Sequence, residues 1–249
     1  MMKFLIGDIG NTSTKICVLN NNLKILRSYN FETIKMLKGN LLKTVIRKRI
    51  NKGLNPIFLF SSVVPKVFLN LKKGLKFSKY KVLELKNLNL NKVIKINVKN
   101  KKQLGSDRIA NAIGAKKFKN CLVLDFGTAT TFDVIKNGRY EGGVIAPGVK
   151  LSIKNLSEAT ALLPLINLSF NQKKIGKNTK EALNAGFIWG YEGLLNNIID
   201  KIILKNKKKF KIILTGGYAN FFKKMIKKNV TVDQDITIKG IANVYKELI

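Results

Sequence analysis

The sequence predicts an α/β protein made of two related halves that face a common cleft. In each half, apolar strand-like runs precede segments with helical spacing, which is typical of α/β folds. An Asp-x-Gly motif follows a buried strand twice, at Asp8 and at Asp125. The length of 249 residues suits two such halves, and we predict an N-terminal half over residues 1–114 and a C-terminal half over residues 115–249.

Strand and helix signals alternate along the first half. Short apolar runs bounded by turn residues predict strands, and apolar residues that recur every three to four positions predict helices. A proline at the start of such a run suits the first turn of a helix, where no N–H is needed. The predicted elements are strands over residues 3–9, 16–19 and 24–26, a helix over 32–50, a strand over 56–63, a helix from Pro65 and a helix over 105–118.

The second half repeats this order and then becomes mostly helical. Asn137-Gly138 predicts a type I′ hairpin, because both central residues of that turn need a positive φ. The other predicted elements are strands over residues 121–124 and up to 135, helices from 148 onward with a long one over 176–205, a strand over 210–214 and a helix over 241–248.

The two Asp-x-Gly regions resemble each other beyond the motif itself. Alignment of Asp8 with Asp125 makes further positions of the two strand–loop–strand segments identical. These pairs are Leu5 and Leu122, Gly10 and Gly127, Thr14 and Thr131, and Asn20 and Asn137. Self-similarity at this separation indicates a duplicated unit.

Composition excludes several kinds of chemistry. The chain has no histidine, which removes Ser-His-Asp and Cys-His nucleophilic schemes and His-ligated metals. Acid–base work must therefore fall to a carboxylate, a lysine or a tyrosine. Cys17 and Cys121 lie in apolar runs and predict buried, reduced thiols. Because no segment is apolar enough for a signal peptide or a membrane span, we expect a cytoplasmic protein.

The formal net charge of +33 has two interpretations. One is a surface for nucleic acid or an anionic membrane. The other is a bias toward AT-rich codons, since the excess is mostly Lys scattered along the chain, and Asn and Ile are also abundant. We favour the bias, and we expect neither a specific nucleic acid nor a membrane as a partner.

The first loop, Asp8-Ile9-Gly10-Asn11-Thr12-Ser13-Thr14-Lys15, lies between two predicted strands. Its glycine lets the backbone approach a phosphate, and its amides and hydroxyls offer hydrogen-bond donors. The Asp8 carboxylate can hold a hydrated Mg²⁺, and Lys15 adds a positive charge. Taken alone, an ordinary hairpin turn explains the loop equally well.

A second loop, Asp125-Phe126-Gly127-Thr128-Ala129, repeats the arrangement at the end of another buried strand. Two such loops are more specific than one, and together they predict a nucleotide-binding enzyme. Thr215-Gly216-Gly217 follows a further apolar strand. It predicts a close-approach site for an adenosine moiety, with a strand-to-helix turn as an equal alternative.

Gly105-Ser106-Asp107-Arg108 opens a predicted helix. Helix capping is one explanation for a Ser and an Asp at this point. Arg is scarce in the chain, however, and an Arg beside an Asp can bind a carboxylate bidentately while the Asp accepts a hydroxyl proton.

Together these motifs resemble those of the type III pantothenate kinases, in the order in which that family carries them. The matching motifs are Asp8-x-Gly-Asn-Thr, Gly105-x-Asp-Arg, Asp125-x-Gly-Thr-Ala, Gly142-Gly-x-x-x-Pro-Gly148 and Gly176-Lys-Asn-Thr179. The resemblance covers essentially the whole chain. It implies the fold of the acetate/sugar kinase, Hsp70 and actin superfamily, with two duplicated ribonuclease-H-like halves facing a central nucleotide cleft.

The resemblance also implies an activity. This is ATP-dependent phosphorylation of pantothenate to 4′-phosphopantothenate, the first step of coenzyme A biosynthesis. It implies a homodimer, ATP as phosphoryl donor, Mg²⁺ with the nucleotide, and a monovalent cation, K⁺ or NH₄⁺.

The family's site residues carry over as implied roles. The nucleotide phosphates fall on Asp8, Ile9, Gly10, Asn11, Thr12, Ser13, Thr14, Lys15 and Thr128. Asp125 is implied to hold the monovalent cation, and Asp8 to hold Mg²⁺ with the nucleotide. Pantothenate contacts fall on Val98, Gly105, Ser106, Asp107, Arg108 and Thr179, with Asp107 as the proton acceptor.

Two positions depart from the family pattern. Many members carry an aromatic residue where Val98 stands, and often a Pro near Lys101, so the wall of the pantothenate pocket differs here. The sequence leaves three other readings open: a superfamily kinase with a different acceptor, a basic nucleic-acid-binding regulator, and a catalytically inactive relative.

Overall fold

A computed structural model describes residues 2–37, 53–76, 78–170 and 175–249. The strands are β1 (Lys3–Ile9), β2 (Ser13–Leu19), β3 (Ile25–Glu32), β4 (Leu54–Ser62), β5 (Lys81–Glu84), β6 (Lys95–Ile96), β7 (Cys121–Phe126), β8 (Ala129–Lys136), β9 (Arg139–Pro147), β10 (Lys211–Gly216) and β11 (Val230–Val232). The helices are α1 (Thr33–Leu37), α2 (Pro65–Gly74), α3 (Ser106–Gly114), α4 (Val149–Glu158), α5 (Thr179–Asn206), α6 (Ala219–Phe222) and α7 (Ile236–Leu248). Single-turn helices lie at Leu85–Asn87, Leu90–Lys92, Lys101–Gln103 and Lys223–Met225.

The strands form two mixed sheets with equivalent order. One sheet has five strands in the order β3-β2-β1-β4-β5, and the other has six in the order β11-β10-β7-β8-β9-β6. The central strand β1 pairs in parallel with β4, as β7 does with β10. Without β6 and written from its other end, the second order is β9-β8-β7-β10-β11, which matches the first order strand for strand. The topology thus shows the duplication that the two Asp-x-Gly segments predict.

Most predicted elements are confirmed, with shifted ends. Asn137 and Gly138 have φ values of 52° and 71°, as the type I′ hairpin requires. The last helix begins earlier than predicted, at Ile236, and the long helix α5 begins later, at Thr179. The predicted helix over residues 32–50 is observed from Thr33 to Leu37, and its remainder lies outside the described residues.

The chain divides into two compact units that are not continuous in sequence. The first comprises the described residues within Met1–Lys119, Ile135–Gly142 and Asp235–Ile249, and the second those within Asn120–Val134 and Gly143–Gln234. The C-terminal helix α7 therefore belongs to the same unit as the first Asp-x-Gly loop. No helix in the described ranges combines the length and apolar character that crossing a bilayer requires.

The first unit buries both faces of its sheet. On one face the core consists of Leu5, Ile9, Ile16, Val18, Met36, Phe58, Phe60, Val67, Leu71, Leu75 and Val82. On the other face, which carries the alternate residues of β1, the ring of Phe4 packs edge-on against Tyr245 of α7 at 5.1 Å between centroids. The Tyr245 hydroxyl donates to the carbonyl oxygen of Ile57 at 2.9 Å, which ties α7 to β4.

Helices α3 and α7 approach each other closely because each has a glycine at the contact. A Cβ atom on Gly240 of α7 would overlap the carbonyl oxygen of Ala110, and one on Gly114 of α3 would overlap that of Ile236. A hydrogen bond of 2.6 Å from Thr237 Oγ1 to Asn111 Oδ1 joins the same two helices. This packing fixes the position of α3, whose first turn carries the Gly-x-Asp-Arg motif.

The second unit has its own core under β7, β8 and β10. Its buried residues are Leu122, Leu124, Phe126, Phe132, Val134, Ala146, Val149, Ile153, Tyr191, Leu195, Ile199, Ile202, Ile212, Leu214, Ala219, Phe222 and Ile226. Phe126, the middle residue of the second Asp-x-Gly motif, stacks on Phe222 at 5.5 Å between ring centroids. The strand that carries Asp125 is therefore held firmly at its end.

We expect Gly240→Ala to destabilise the protein by about 1–3 kcal/mol, because the added methyl group overpacks the contact between α3 and α7. Alanine is otherwise favoured over glycine in a helix by about 1 kcal/mol, so a loss of stability is diagnostic of the contact. Urea unfolding measures the effect. Gly217→Ala is the control, since nothing lies within 4 Å of its Cβ position. An unchanged or raised unfolding midpoint for Gly240→Ala would contradict the proposed packing.

Candidate active site

The first Asp-x-Gly loop joins β1 to β2, and the hydroxyl groups of Thr14 and Thr33 stabilise it by hydrogen bonds. Thr33 Oγ1 donates to the carbonyl oxygen of Gly10 at 2.7 Å, so the 3.0 Å bond between Thr14 Oγ1 and Thr33 Oγ1 has Thr14 as donor. The backbone N–H of Thr33 also donates to the carbonyl oxygen of Thr12 at 2.9 Å. Thr33 was not predicted from the sequence, although its hydrogen bonds to Gly10 and Thr12 fix the shape of the loop.

The predicted nucleotide ligands in this loop differ in exposure. Asn11, Thr12 and Ser13 are exposed and form the tip of the loop. Ile9 and Thr14 are fully buried, so they form the base of the loop. The loop therefore presents a short polar tip on a rigid base.

A polar row formed by Lys15, Asp8 and Ser61 crosses the sheet beside the loop. Asp8 is in register with Lys15 of β2 and with Ser61 of β4, so the three side chains lie on the same sheet face. Ser61 is fully buried, and its Oγ atom makes no hydrogen bond within the described part of the chain. Asp8 is half-buried, with its Oδ1 atom inaccessible to solvent. Carboxylate and hydroxyl oxygens are ligands that suit Mg²⁺, so this donor set fits the ion.

Lys15 has a partner that the sequence does not reveal. Its Nζ donates to Asp235 Oδ1 at 2.6 Å, across a separation of 220 residues along the chain. Asp235 directly precedes α7, and the two side chains are 27% and 40% exposed. An ion pair this exposed contributes up to about 1 kcal/mol. It orients the ammonium beside Asp8 while leaving it able to exchange partners.

The Gly-x-Asp-Arg motif forms the N-terminus of α3. Gly105 is the N-cap residue and has no capping side chain. Asp107 Oδ1 accepts the backbone N–H of Arg108 at 2.8 Å and lies where a Cβ of residue 105 would be, which explains the glycine. Burial raises the pKa of Asp107 above its ordinary value, although the N–H and the charge of Arg108 oppose the shift.

Val63 lies near both the first Asp-x-Gly loop (Asp8–Lys15, the predicted phosphate loop) and the Gly-x-Asp-Arg motif. Its N–H donates to the carbonyl oxygen of Ile9 at 3.0 Å, and its Cγ1 lies 3.6 Å from the Cβ position of Gly105. The first unit therefore brings two motifs that are far apart in sequence side by side.

The residues around Val98 are placed by β9. Val98 Cγ1 lies 3.9 Å from the Cβ position of Gly142, and the N–H of Asn97 donates to the carbonyl oxygen of Tyr140 at 2.8 Å. The Arg108 guanidinium lies 6.0 Å from the centre of the buried Tyr140 ring. Val98 and Arg108 thus share one strand segment as a neighbour, and Tyr140 supports the arginine.

In the second unit, the Asp125 carboxylate lies close against Gly216, where a Cβ atom would clash with it. Gly216 has a φ of +85°, and its Cβ position is 2.6 Å from both Asp125 Oδ1 and the carbonyl oxygen of Phe126. Only a glycine allows this backbone to approach so closely, and the carboxylate and carbonyl oxygens that meet here are of the kind that bind a monovalent cation. Beside it, a Cβ on Gly148 would overlap the carbonyl group of Thr128, whose side chain is exposed.

Thr179 is the first residue of α5 and is exposed. The preceding residues form a reciprocal cap: Asn178 Oδ1 accepts the N–H of Glu181 at 3.0 Å, and Glu181 Oε2 accepts the N–H of Lys177 at 2.9 Å. The Gly176–Thr179 motif is thus built as a helix start that presents the threonine hydroxyl.

The predicted site residues divide between the two units. The first unit holds Asp8–Lys15, Val98 and Gly105–Arg108, and the second holds Asp125, Thr128 and Thr179. Among the described residues, no group of three or more Cys, Asp or Glu side chains could hold a metal ion. Each cation-binding candidate accordingly offers one carboxylate with neighbouring neutral oxygens.

The family model and the curated relatives that match this chain carry the same description. A family model described as type III pantothenate kinase matches residues 4–201. The type III pantothenate kinase of Pelagibacter ubique (strain HTCC1062) is 50% identical over 240 residues, which cover 95% of this chain and 96% of that protein. That of Sulfurihydrogenibium sp. (strain YO3AOP1) is 35% identical over 253 residues, with coverage of 94% and 96%. The ROK hexokinase of Thermus thermophilus shares the fold, with a TM-score of 0.56, 10% identity and 99% coverage of both chains.

We expect Asp235→Asn to weaken ATP binding by about two- to fivefold, since an exposed ion pair that orients Lys15 contributes up to about 1 kcal/mol. Isothermal titration with a non-hydrolysable ATP analogue measures the effect. Glu247→Gln is the matched control, because Glu247 forms an ion pair with Lys116 at the opposite end of the same helix. Tighter binding by Asp235→Asn would show that Asp235 competes with phosphate for Lys15 and does not orient it.

Proposed function

The chain belongs to the type III pantothenate kinase family, and on this premise we propose that it transfers the γ-phosphoryl group of ATP to pantothenate. The product is 4′-phosphopantothenate, and the reaction is the first step of coenzyme A biosynthesis. The observation that carries the proposal is that the Gly105–Arg108 motif lies near the first Asp-x-Gly loop, with Val63 hydrogen-bonded to Ile9 and adjacent to Gly105.

Asp107 serves as the general base in this proposal. The primary hydroxyl of pantothenate loses its proton to the Asp107 carboxylate as its oxygen bonds to the γ-phosphorus and the bond to ADP breaks. Because burial raises the pKa of Asp107, the carboxylate holds a proton better than an exposed Asp does. Arg108, whose guanidinium lies over the Tyr140 ring, would bind the carboxylate of pantothenate.

The nucleotide side of the site uses neutral donors and one lysine. The exposed tip Asn11–Ser13 offers hydrogen bonds to phosphate oxygens, and Lys15 adds a positive charge. Asp8 would hold Mg²⁺, and Asp125 with the carbonyl oxygen of Phe126 would hold K⁺ or NH₄⁺. When bound, these cations neutralise phosphate charge.

We further propose that the enzyme acts in the cytoplasm as a homodimer. The free thiols of Cys17 and Cys121 are buried, which suits a reducing compartment. Large apolar side chains of the second unit are exposed, among them Leu162, Leu165, Ile175 and Trp189. On α5 the glycines that flank Trp189 have nothing within 4 Å of their Cβ positions, so this face suits a second copy of the chain.

The purified chain should release ADP from ATP only when pantothenate is present, and K⁺ should support a higher rate than Na⁺. A coupled ADP assay with mass detection of 4′-phosphopantothenate measures both effects. Acetate and sugars, the acceptors of related kinases, should give no turnover above background. Faster turnover with one of them would mean that the chain has a different acceptor.

Asp107→Asn should lower kcat by about 10²- to 10⁴-fold, the usual contribution of a general base, and should leave ATP binding nearly unchanged. The amide cannot take the proton, but it keeps the size of the side chain. Near-wild-type turnover by the purified variant would refute the assignment of the base.

The pH dependence of Asp107 has a definite sign. Activity should fall as the pH drops through the pKa of Asp107, which lies above the ordinary value of 3.8, because the protonated form is not a base. A pKa raised by folding also means that ionisation destabilises the fold as the pH rises through the folded-state value. Asp107→Asn should therefore be at least as stable as the wild type at pH 7, which thermal unfolding measures.

A further inference from the structure

Glu84, at the end of β5, is a half-buried carboxylate that the mechanism above does not use. Its Oε1 atom accepts a hydrogen bond from Ser106 Oγ at 2.8 Å. Backbone groups of Lys86 and Ser62 also stabilise its charged form, although burial still raises the pKa of Glu84 above its ordinary value. A carboxylate in such a place costs free energy unless its hydrogen bonds offset the loss of water.

The hydroxyl of Ser106 is committed to Glu84. Ser106 is only 1% exposed, so its side chain is not open to a ligand. It does not cap α3 either, because the N-cap residue is Gly105 and no side chain caps the helix. Ser106, although predicted as a pantothenate ligand, is thus buried as a whole residue in this structure, and its side chain holds the helix start.

A second contact holds the segment just before the motif. Lys86 Nζ donates to the carbonyl oxygen of Lys102 at 2.5 Å. Residues 102 and 106 lie on either side of Gly105, so the end of β5 and the turn after it contact the acceptor segment at two points. This arrangement restrains both the position and the direction of the first turn of α3.

Glu84 also connects to the strand that supports the phosphate loop. Strand β5 pairs in parallel with β4, with Glu84 opposite Phe60. Strand β4 ends at Ser62, which is in register with Ile9. The Glu84 carboxylate thus connects the start of α3 to the C-terminal ends of the parallel strands β1, β4 and β5, where the phosphate loop begins.

We propose that Glu84 is a positioning residue for phosphoryl transfer: through Ser106, and together with Lys86, it sets the Asp107 carboxylate relative to the phosphate loop. The proposal rests on the role of Asp107 given above. Phosphoryl transfer depends mainly on positioning and electrostatics, and a displacement of about 1 Å can lower the rate about 100-fold.

Steady-state kinetics of Ser106→Ala, Glu84→Ala and the double variant test the proposal. We expect each single variant to lower kcat/KM for pantothenate about tenfold and to leave KM for ATP within about twofold, because the contact acts on the acceptor side. The double variant should lose no more than the poorer single variant, since both remove one contact. Glu84→Gln keeps an acceptor oxygen for Ser106 and should retain most of the activity.

Matched controls separate positioning from general loss of structure. Ser78→Ala removes another partly buried hydroxyl of the same unit, one that donates to the carbonyl oxygen of Leu75 at 2.7 Å. Glu247→Gln removes a carboxylate from the ion pair with Lys116. Both should keep kcat/KM for pantothenate within about twofold of wild type, as surface changes away from a site do.

An independent readout keeps the proposal testable without catalysis. Hydrogen exchange of the amides in the first turn of α3 should become faster in Ser106→Ala, while exchange in α7 stays unchanged. If the wild-type chain does not phosphorylate pantothenate, the proposed function fails, yet this exchange experiment still tests whether Glu84 and Ser106 hold the helix start.

Two results would overturn the proposal. One is unchanged kcat/KM for pantothenate in folded Ser106→Ala and Glu84→Ala. The other is a lowered melting temperature with equal losses for ATP and pantothenate, which a purely structural contact would give. Should Glu84→Ala fail to fold, Ser106→Ala still decides the question, because it removes a single oxygen atom.

Discussion

The close contact between α3 and α7 is the constraint on which the site of the first unit depends. Gly114 and Gly240 allow the two backbones to touch, and any side chain at either position would separate them. At one end of this pair the first turn of α3 carries Asp107, and at the start of α7 Asp235 pairs with Lys15. A single packing contact between small residues thus sets the positions of Asp107, the proposed base, and of Asp235, which holds the Lys15 ammonium beside the first Asp-x-Gly loop.

Carboxylates are scarce in this chain, and several of them lie at the site. Of 14 acidic residues, Asp8, Glu84, Asp107, Asp125 and Asp235 each lie in or against a motif implied in catalysis. Their surroundings differ: Asp235 pairs with a lysine, Glu84 accepts a serine hydroxyl, and burial raises the pKa of Asp107. The same functional group therefore serves orientation, support and, in the proposed mechanism, proton transfer according to its neighbours.

Features that depend only on residues adjacent in sequence could be predicted. The Asn137-Gly138 hairpin follows from the positive φ that its turn type needs. The two phosphate loops could be located because glycine and small polar residues at a strand end make a poor core. In each case the cause acts over a few residues, so it is visible in the local sequence.

The α/β class, the duplication and the motifs that mark the family could all be predicted from the chain, because strand and turn preferences are local and repeat along it. The hydrogen-bond partners became visible only in the folded protein: Thr33 with Gly10, Asp235 with Lys15, and Glu84 with Ser106. It also showed that α7, at the far end of the chain, belongs to the unit of the first loop. These contacts join residues that are distant in sequence, and no local preference specifies which of many Asp, Glu or Thr side chains will meet.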